Sequence, residues 1–268
     1  LPELPDVETM RRYLQATSLH QEIEGVRVDG GQLLQATPPE TLQEELVGRS
    51  FASTQRHGKY MFVRLDGGGD DLLVLHFGMT GGLTYFKDRE DEPAYCRVLF
   101  HFANGYHLAY VSMRKLGEVG ITDDVDRFVD ERELGPDALA EDFDLRAFKN
   151  LVEGRRVMAK SFFMDQHTIA GVGNVYADEI LFQAGIHPRT KMSSLDDETV
   201  EDLFHSMKDV LQEAIEHQAH PDRFPDSFIV PRRGQGGRCP KCGAELERVK
   251  VSSRSSYYCP KHQQQDGE

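Results

Sequence analysis

The sequence predicts an α+β chain, with a strand-rich first half opened by a helix, then a helical stretch, then a small cysteine module. Three observations predict it. Short apolar runs bounded by turn residues recur to about residue 120, and two of them, Cys96 to Phe102 and Tyr106 to Val111, flank Asn104-Gly105, a strong hairpin signal. Beyond Leu134-Gly135-Pro136-Asp137 the apolar spacing becomes helical. Three of the four cysteines fall between Cys239 and Cys259.

Taken in order, Asp6 to Ala16 reads as a helix, because Val7, Met10, Tyr13 and Leu14 recur at helical spacing and Pro5 suits a first turn. Strand-like runs follow at 25–29, 51–65 and 72–86, and with the hairpin they suggest an antiparallel β-sandwich or barrel. Helices are expected at 145–153, 157–166, 174–184 and 194–217. Asn174 is placed to cap the third of these, with Gly185 to end it and Pro188 to prevent its extension. Residues 220–237, rich in Pro, Arg and Gly, read as a connector. The domains expected are 1–133, 134–222 and 223–268.

Bulk properties narrow the function. A chain of 268 residues with 39% hydrophobic content can bury two modest cores, yet holds no apolar run long enough to span a bilayer. No basic-then-apolar leader is visible, so a cytoplasmic monomer is expected. Clustered cysteines favour metal over disulfides. The net charge of −14 disfavours phosphate binding overall, but the charge is polarised. Between Glu118 and Arg146 eleven acids face three arginines, a net of −8, whereas between Arg232 and Lys261 eight Lys/Arg face two glutamates, a net of +6.

Several stretches carry possible chemistry. Leu1-Pro2-Glu3-Leu4-Pro5-Asp6-Val7-Glu8 is either an extended lead-in to a helix, its acids favoured by the helix dipole, or a device that exposes Pro2 as the terminal residue. A terminal amine, with a pKa of roughly 7.7 to 8, is in good part a free nucleophile near neutrality. Attack by such a secondary amine on a sugar C1′ yields an electron-withdrawing iminium, and Glu3 beside it is placed to move protons. Lys59, in His57-Gly58-Lys59-Tyr60, reads as a solvated charge at a strand entry. Met79, in His76-Phe77-Gly78-Met79-Thr80-Gly81, either packs under the sheet or stands at a flexible turn. Met113-Arg114-Lys115-Leu116-Gly117 reads as a basic turn. The run from Asp165 to Glu179 contains Gly171-Val172-Gly173-Asn174, two glycines that let the backbone approach a ligand at a helix N-terminus; a plain helical hairpin is the alternative. Finally Cys239-x₂-Cys242, sixteen residues, then Cys259-x₂-His262 supplies four ligands for one structural, tetrahedral Zn²⁺.

Pro2 to Glu8, the Asp165–Glu179 run and the cysteine module together resemble the formamidopyrimidine-DNA glycosylase/endonuclease VIII family, over nearly the whole chain. The resemblance implies an N-terminal β-sandwich with a leading helix, a helix-two-turn-helix domain and a β-hairpin zinc finger, with bent, damaged duplex DNA held in a cleft. It implies Pro2 as nucleophile, Glu3 as proton carrier and Lys59 in the active site. His76, Asn174 and Arg254, with Lys160 a weaker candidate, would contact phosphates; Met79, Arg114 and Leu116 would fill the space left by an everted base. The chain departs from the family pattern in three places: Asp6 stands where glutamate is usual, Leu116 where phenylalanine is, and His262 where cysteine is. Leu1 must also be removed, as an initiator residue would be, or the Pro2 nitrogen is an unreactive amide. Met79 and Arg114 resemble the branch acting on oxidised purines; an oxidised-pyrimidine glycosylase and a non-catalytic lesion-binding protein are the alternatives.

Overall fold

The computed structural model describes residues 2–34, 37–67 and 69–264; Leu1, on which exposure of the Pro2 amine depends, lies outside them. The chain divides into two compact units, Leu1–Pro2 with Asp6–Arg132 and Glu3–Pro5 with Glu133 onward.

The first unit is a sandwich of two four-stranded antiparallel sheets. Helix α1 (Leu4–Ser18) leads in, and Val7 and Leu14 on its apolar stripe are fully buried. Strand β1 (Ile23–Val28), helix α2 (Pro39–Leu46), then β2 (Phe51–His57), β3 (Tyr60–Leu65), β4 (Leu72–His76), β5 (Gly81–Phe86), β6 (Cys96–Phe102), β7 (His107–Ser112) and β8 (Glu118–Thr122) follow. One sheet runs β1-β6-β7-β5, the other β2-β3-β4-β8. Phe51 on β2 meets Phe100 and Phe102 on β6 edge to face, with centroids 5.5 and 6.0 Å apart, so the two sheets share one core. The apolar run expected at 51–65 folds back on itself as β2 and β3, whereas that at 72–86 divides between the sheets, β4 in one and β5 in the other. Gly58, at φ 55°, makes the β2–β3 reversal, where a left-handed residue costs little only without a Cβ. Helix α3 (Val125–Glu131), capped by Asp124, lays Phe128 over Phe62, Leu72 and Val74 on the sheet's outer face. Cys96 is a packed residue beside Phe86, Leu99 and Ala109.

The second unit is helical with a terminal hairpin. Its helices are α4 (Leu145–Val152), α5 (Ala159–Met164), α6 (Asn174–Gln183) and α7 (Asp197–Glu216). Every residue of α6 from Tyr176 to Phe182 is buried, which marks it as the central helix of this unit. The longest, α7, packs Val200, Leu203, Met207, Val210 and Leu211 inward and is capped by Asp196, whose carboxylate accepts from Thr199 N at 2.9 Å. Strands β9 (Glu247–Val251) and β10 (Arg254–Tyr258) are joined by Ser252-Ser253, both left-handed, as a two-residue turn requires. No helix among the described residues is long and apolar enough to cross a membrane.

Candidate active site

In the first unit, five expected site residues, Lys59, His76, Met79, Arg114 and Leu116, share one end of the sandwich. Gly78 (φ 59°) lies so close to the next loop that a Cβ there would meet Leu116 O at 2.3 Å; one on Gly117 would meet His76 O at 2.5 Å. The Thr80 hydroxyl also accepts from Arg114 N at 3.2 Å. Glycine is thus required for backbone contact, and that contact brings the Met79 loop against the Arg114–Leu116 loop. Leu116 is 50% exposed and Met113 57%, beside exposed Arg114 and Lys115, so apolar groups are held out in a cationic setting. Such side chains are suited to insertion between bases. Lys59 occupies the β2–β3 turn, near enough to His76 to act on its charge.

The His76 ring packs on Tyr60 at 4.7 Å. Burial, aided by the Lys59 and Arg132 charges, pushes its pKa down from 6.5 to about 4. It is therefore neutral at pH 7, so its ring offers an N–H donor and no positive charge. Because the folded value lies below the unfolded one, this histidine's contribution to stability is complete above pH 6.5 and is lost as pH falls towards 4. In urea unfolding across that window, His76→Gln is expected to lose less stability than the parent; equal losses would show that His76 is not the titrating group.

In the second unit, Glu3 is fully buried and its carboxylate accepts from Gly173 N (2.9 Å), Val175 N (2.8 Å) and Tyr176 N (3.1 Å). Leu4 N donates to Gly171 O at 3.0 Å. A Cβ on Gly171 would meet Leu4 at 2.6 Å, and one on Gly173 would meet the Glu3 carboxyl carbon at 2.5 Å. The two glycines therefore cradle the chain's own N-terminal residues, and three of the helix's orphan donors go to a carboxylate that its dipole favours. This corrects the expected cap. Gly173 is the N-cap residue and the Asn174 side chain caps nothing; its Oδ1 is buried without a hydrogen-bond partner.

Lys160 is a second correction. It has no exposed surface, and its ammonium is bound to Asp178 Oδ1 (2.6 Å) and Ser255 O (3.2 Å), so it does not present a phosphate contact. Burial lowers its pKa and the Asp178 charge opposes that shift. Asp178 also accepts from Arg233 (2.8 and 3.0 Å), the Ser256 hydroxyl and Tyr257 N (3.1 Å). One buried carboxylate thus ties α5, the connector and β10 to α6. Its neighbour Glu179, pushed up to about 7 by burial, accepts from Ile229 N and Val230 N, both at 2.9 Å, and fastens the connector. Sequence reasoning missed both roles; the signal was two adjacent acids inside an otherwise apolar helix. Arg254, by contrast, is exposed at the head of β10.

The ligand atoms of Cys239, Cys242, Cys259 and His262 lie within 4.8 Å of one another. The Cys242 and Cys259 sulfurs are 3.6 Å apart, close to the roughly 3.8 Å edge of a tetrahedron with Zn–S bonds of about 2.3 Å. Three thiolates and an imidazole form a closed donor set for one structural zinc. Buried Gln263 braces it, accepting from Cys259 N at 2.8 Å and donating to Ile186 O at 2.9 Å.

Comparison with known proteins agrees with this geometry. The formamidopyrimidine-DNA glycosylase N-terminal domain matches residues 1–119, its H2TH domain residues 134–225, and the zinc finger found in FPG and IleRS residues 236–261. A formamidopyrimidine-DNA glycosylase of Pelotomaculum thermopropionicum is 34% identical over 272 residues, covering 97% of this chain and 98% of its own. That of Moorella thermoacetica is 36% identical over 262 residues, covering 93% and 95%. Lactococcus lactis Fpg solved with DNA containing an abasic site is similar at a TM-score of 0.88 and 29% identity, over 98% of this chain and 100% of that one. Its complex with FAPY-dG-containing DNA gives 0.87, with the same identity and coverage. With all three segments matched in order and relatives above 30% identity over nearly their full length, the chain belongs to the formamidopyrimidine-DNA glycosylase family.

Proposed function

We propose that the chain is a base-excision repair glycosylase with an abasic-site lyase activity, releasing formamidopyrimidines and 8-oxoguanine from damaged duplex DNA, with Pro2 as nucleophile. The observation that carries this reading is the seat of Glu3: three backbone amides and the Gly171/Gly173 cradle fix the residue joined to Pro2. A flexible terminus would sample many poses; this one is pre-ordered for attack.

In this reading residue 1 is removed and the Pro2 nitrogen adds to C1′ of an everted nucleotide as the bond to the base breaks. The base leaves with a proton, and the sugar ring then opens: the C1′–O4′ bond breaks as the nitrogen lone pair forms C1′=N⁺, and O4′ takes up the proton lost from the nitrogen. The resulting iminium acidifies C2′, whose proton is taken up as the 3′ phosphate departs; a second elimination expels the 5′ phosphate. Glu3 carries protons at these steps and Lys59 sits with the reacting sugar and phosphate. His76, Asn174 and Arg254 hold phosphates, and Met79, Arg114 and Leu116 fill the vacated stack. The zinc holds the hairpin and takes no part in the chemistry.

The test is borohydride trapping on duplex DNA bearing an abasic site or 8-oxoguanine, followed by peptide mapping. A cross-link at Pro2 is expected; salt-sensitive binding with no cross-link would favour a lesion-binding protein. Gly173→Ala is expected to lower the trapping rate by about 100-fold, since the added methyl must displace the Glu3 carboxyl and a misplacement of about 1 Å costs that much. An unchanged rate would remove the seat from the mechanism.

A further inference from the structure

Five cations of the second unit, Arg155, Arg156, Arg189, Lys191 and Lys250, are exposed, and backbone contacts gather them on one face. Met158 and Lys191 form an antiparallel bridge, and Met192 N donates to Val157 O at 2.9 Å, so the loop before α5 lies along the segment carrying Arg189 and Lys191. Arg189 donates to Lys250 O on β9 at 3.3 Å. The Ser161 and Ser252 hydroxyls are 2.8 Å apart, which sets α5 against the hairpin turn beside Arg254.

Two features separate this face from an ordinary solvated surface. The chain holds 45 acids against 31 Lys/Arg, and Arg27, Arg49, Arg127 and Arg132 are all paired with carboxylates. None of the five is in an ion pair among the described residues. The bordering Glu247 is engaged by the Tyr258 hydroxyl at 2.6 Å. In addition, Val157 (42% exposed) and Met158 (40%) stand among the cations. Apolar groups beside exposed cations also mark the Leu116 loop.

We infer that this face is an accessory rail for the phosphate backbone of duplex DNA outside the lesion site, lengthening the bound stretch; the inference rests on the glycosylase reading above. A protein of net charge −14 repels a polyanion except where its local field is positive, and a row of unpaired cations continuing from Arg254 supplies such a field.

The test uses the full chain with zinc bound and duplexes centred on a non-cleavable abasic analogue, about 30 and about 10 base pairs long. Binding is followed from 50 to 200 mM salt, with Arg155→Gln/Arg156→Gln/Lys191→Gln compared to the parent. Every phosphate that the variant no longer neutralises should flatten the log–log salt slope by about 0.9, so the triple variant is expected to bring the slope down by about 2 to 3 on the long duplex, and much less on the short one. Single-turnover cleavage at saturation should not change. The double variant Arg155→Gln/Arg156→Gln, confined to an exposed loop, gives a smaller flattening in the same sense should the triple one fold poorly. Equal slopes for parent and variants would overturn the rail and leave the glycosylase reading standing. A parent that binds neither duplex would overturn that reading, and the rail with it.

Discussion

Asp178→Ala is expected to destabilise the second unit by about 3–5 kcal/mol, the usual cost of removing one partner from a buried ionic cluster. Thermal unfolding should register it as a drop of roughly 10 °C or more. The reason is the number of groups left behind. Lys160 has no exposed surface, Arg233 makes two bonds to this carboxylate, and the Ser256 hydroxyl and Tyr257 N would lose their acceptor. Neutralisation of Lys160 limits the loss, since burial already lowers its pKa. Lys160→Met should cost less, because Asp178 would retain Arg233 and the hairpin donors. If the two substitutions cost the same, the cluster is a simple pair and not the junction of α5, the connector and β10.

Removing the zinc should have the larger effect on function. The hairpin's apolar core is small: it is Cys239, Leu246 and Cys259, with Ile229 and Phe182 from outside the hairpin, and two of those five are ligands. Zinc-binding free energies of about 10–16 kcal/mol in small modules act as folding free energy there. Chelation, or Cys259→Ala, is expected to melt β9–β10, displace Arg254 and weaken abasic-DNA binding by more than about 100-fold. His262→Cys should retain metal and binding, whereas His262→Ala should lose much of both. A chelated protein that binds as before would separate the hairpin from the DNA-contacting surface.

What the sequence disclosed was local. The 3.6-residue spacing of Val7, Leu14 and their neighbours placed α1, Asn104-Gly105 placed the β6–β7 hairpin, and the cysteine spacing anticipated the cluster that the fold closes. The short β8 and helices α2 and α3 went unread, because strands of five residues and acidic helices of seven or eight carry little periodic signal. Partners distant in sequence were beyond reach. Asn174 looked like a cap because the usual cap is adjacent, yet the acceptor is Glu3, more than 170 residues upstream. Lys160 looked like a surface cation because lysine is rarely buried, yet Asp178, eighteen residues on, makes its burial tolerable.

The separation between Glu3 and its amides also orders events during biosynthesis. Residue 2 leaves the ribosome well before the helix that seats its neighbour, and the Glu3 carboxylate has nowhere to sit until Gly173, Val175 and Tyr176 have been translated. At roughly 5–20 residues per second, the interval is on the order of ten seconds or more. Over that time the β-sandwich can form while the proposed nucleophile stays unanchored. Competence for attack is then conferred late, by the helix that completes the second unit, so a truncated product of a stalled ribosome would carry the proline without the means to aim it.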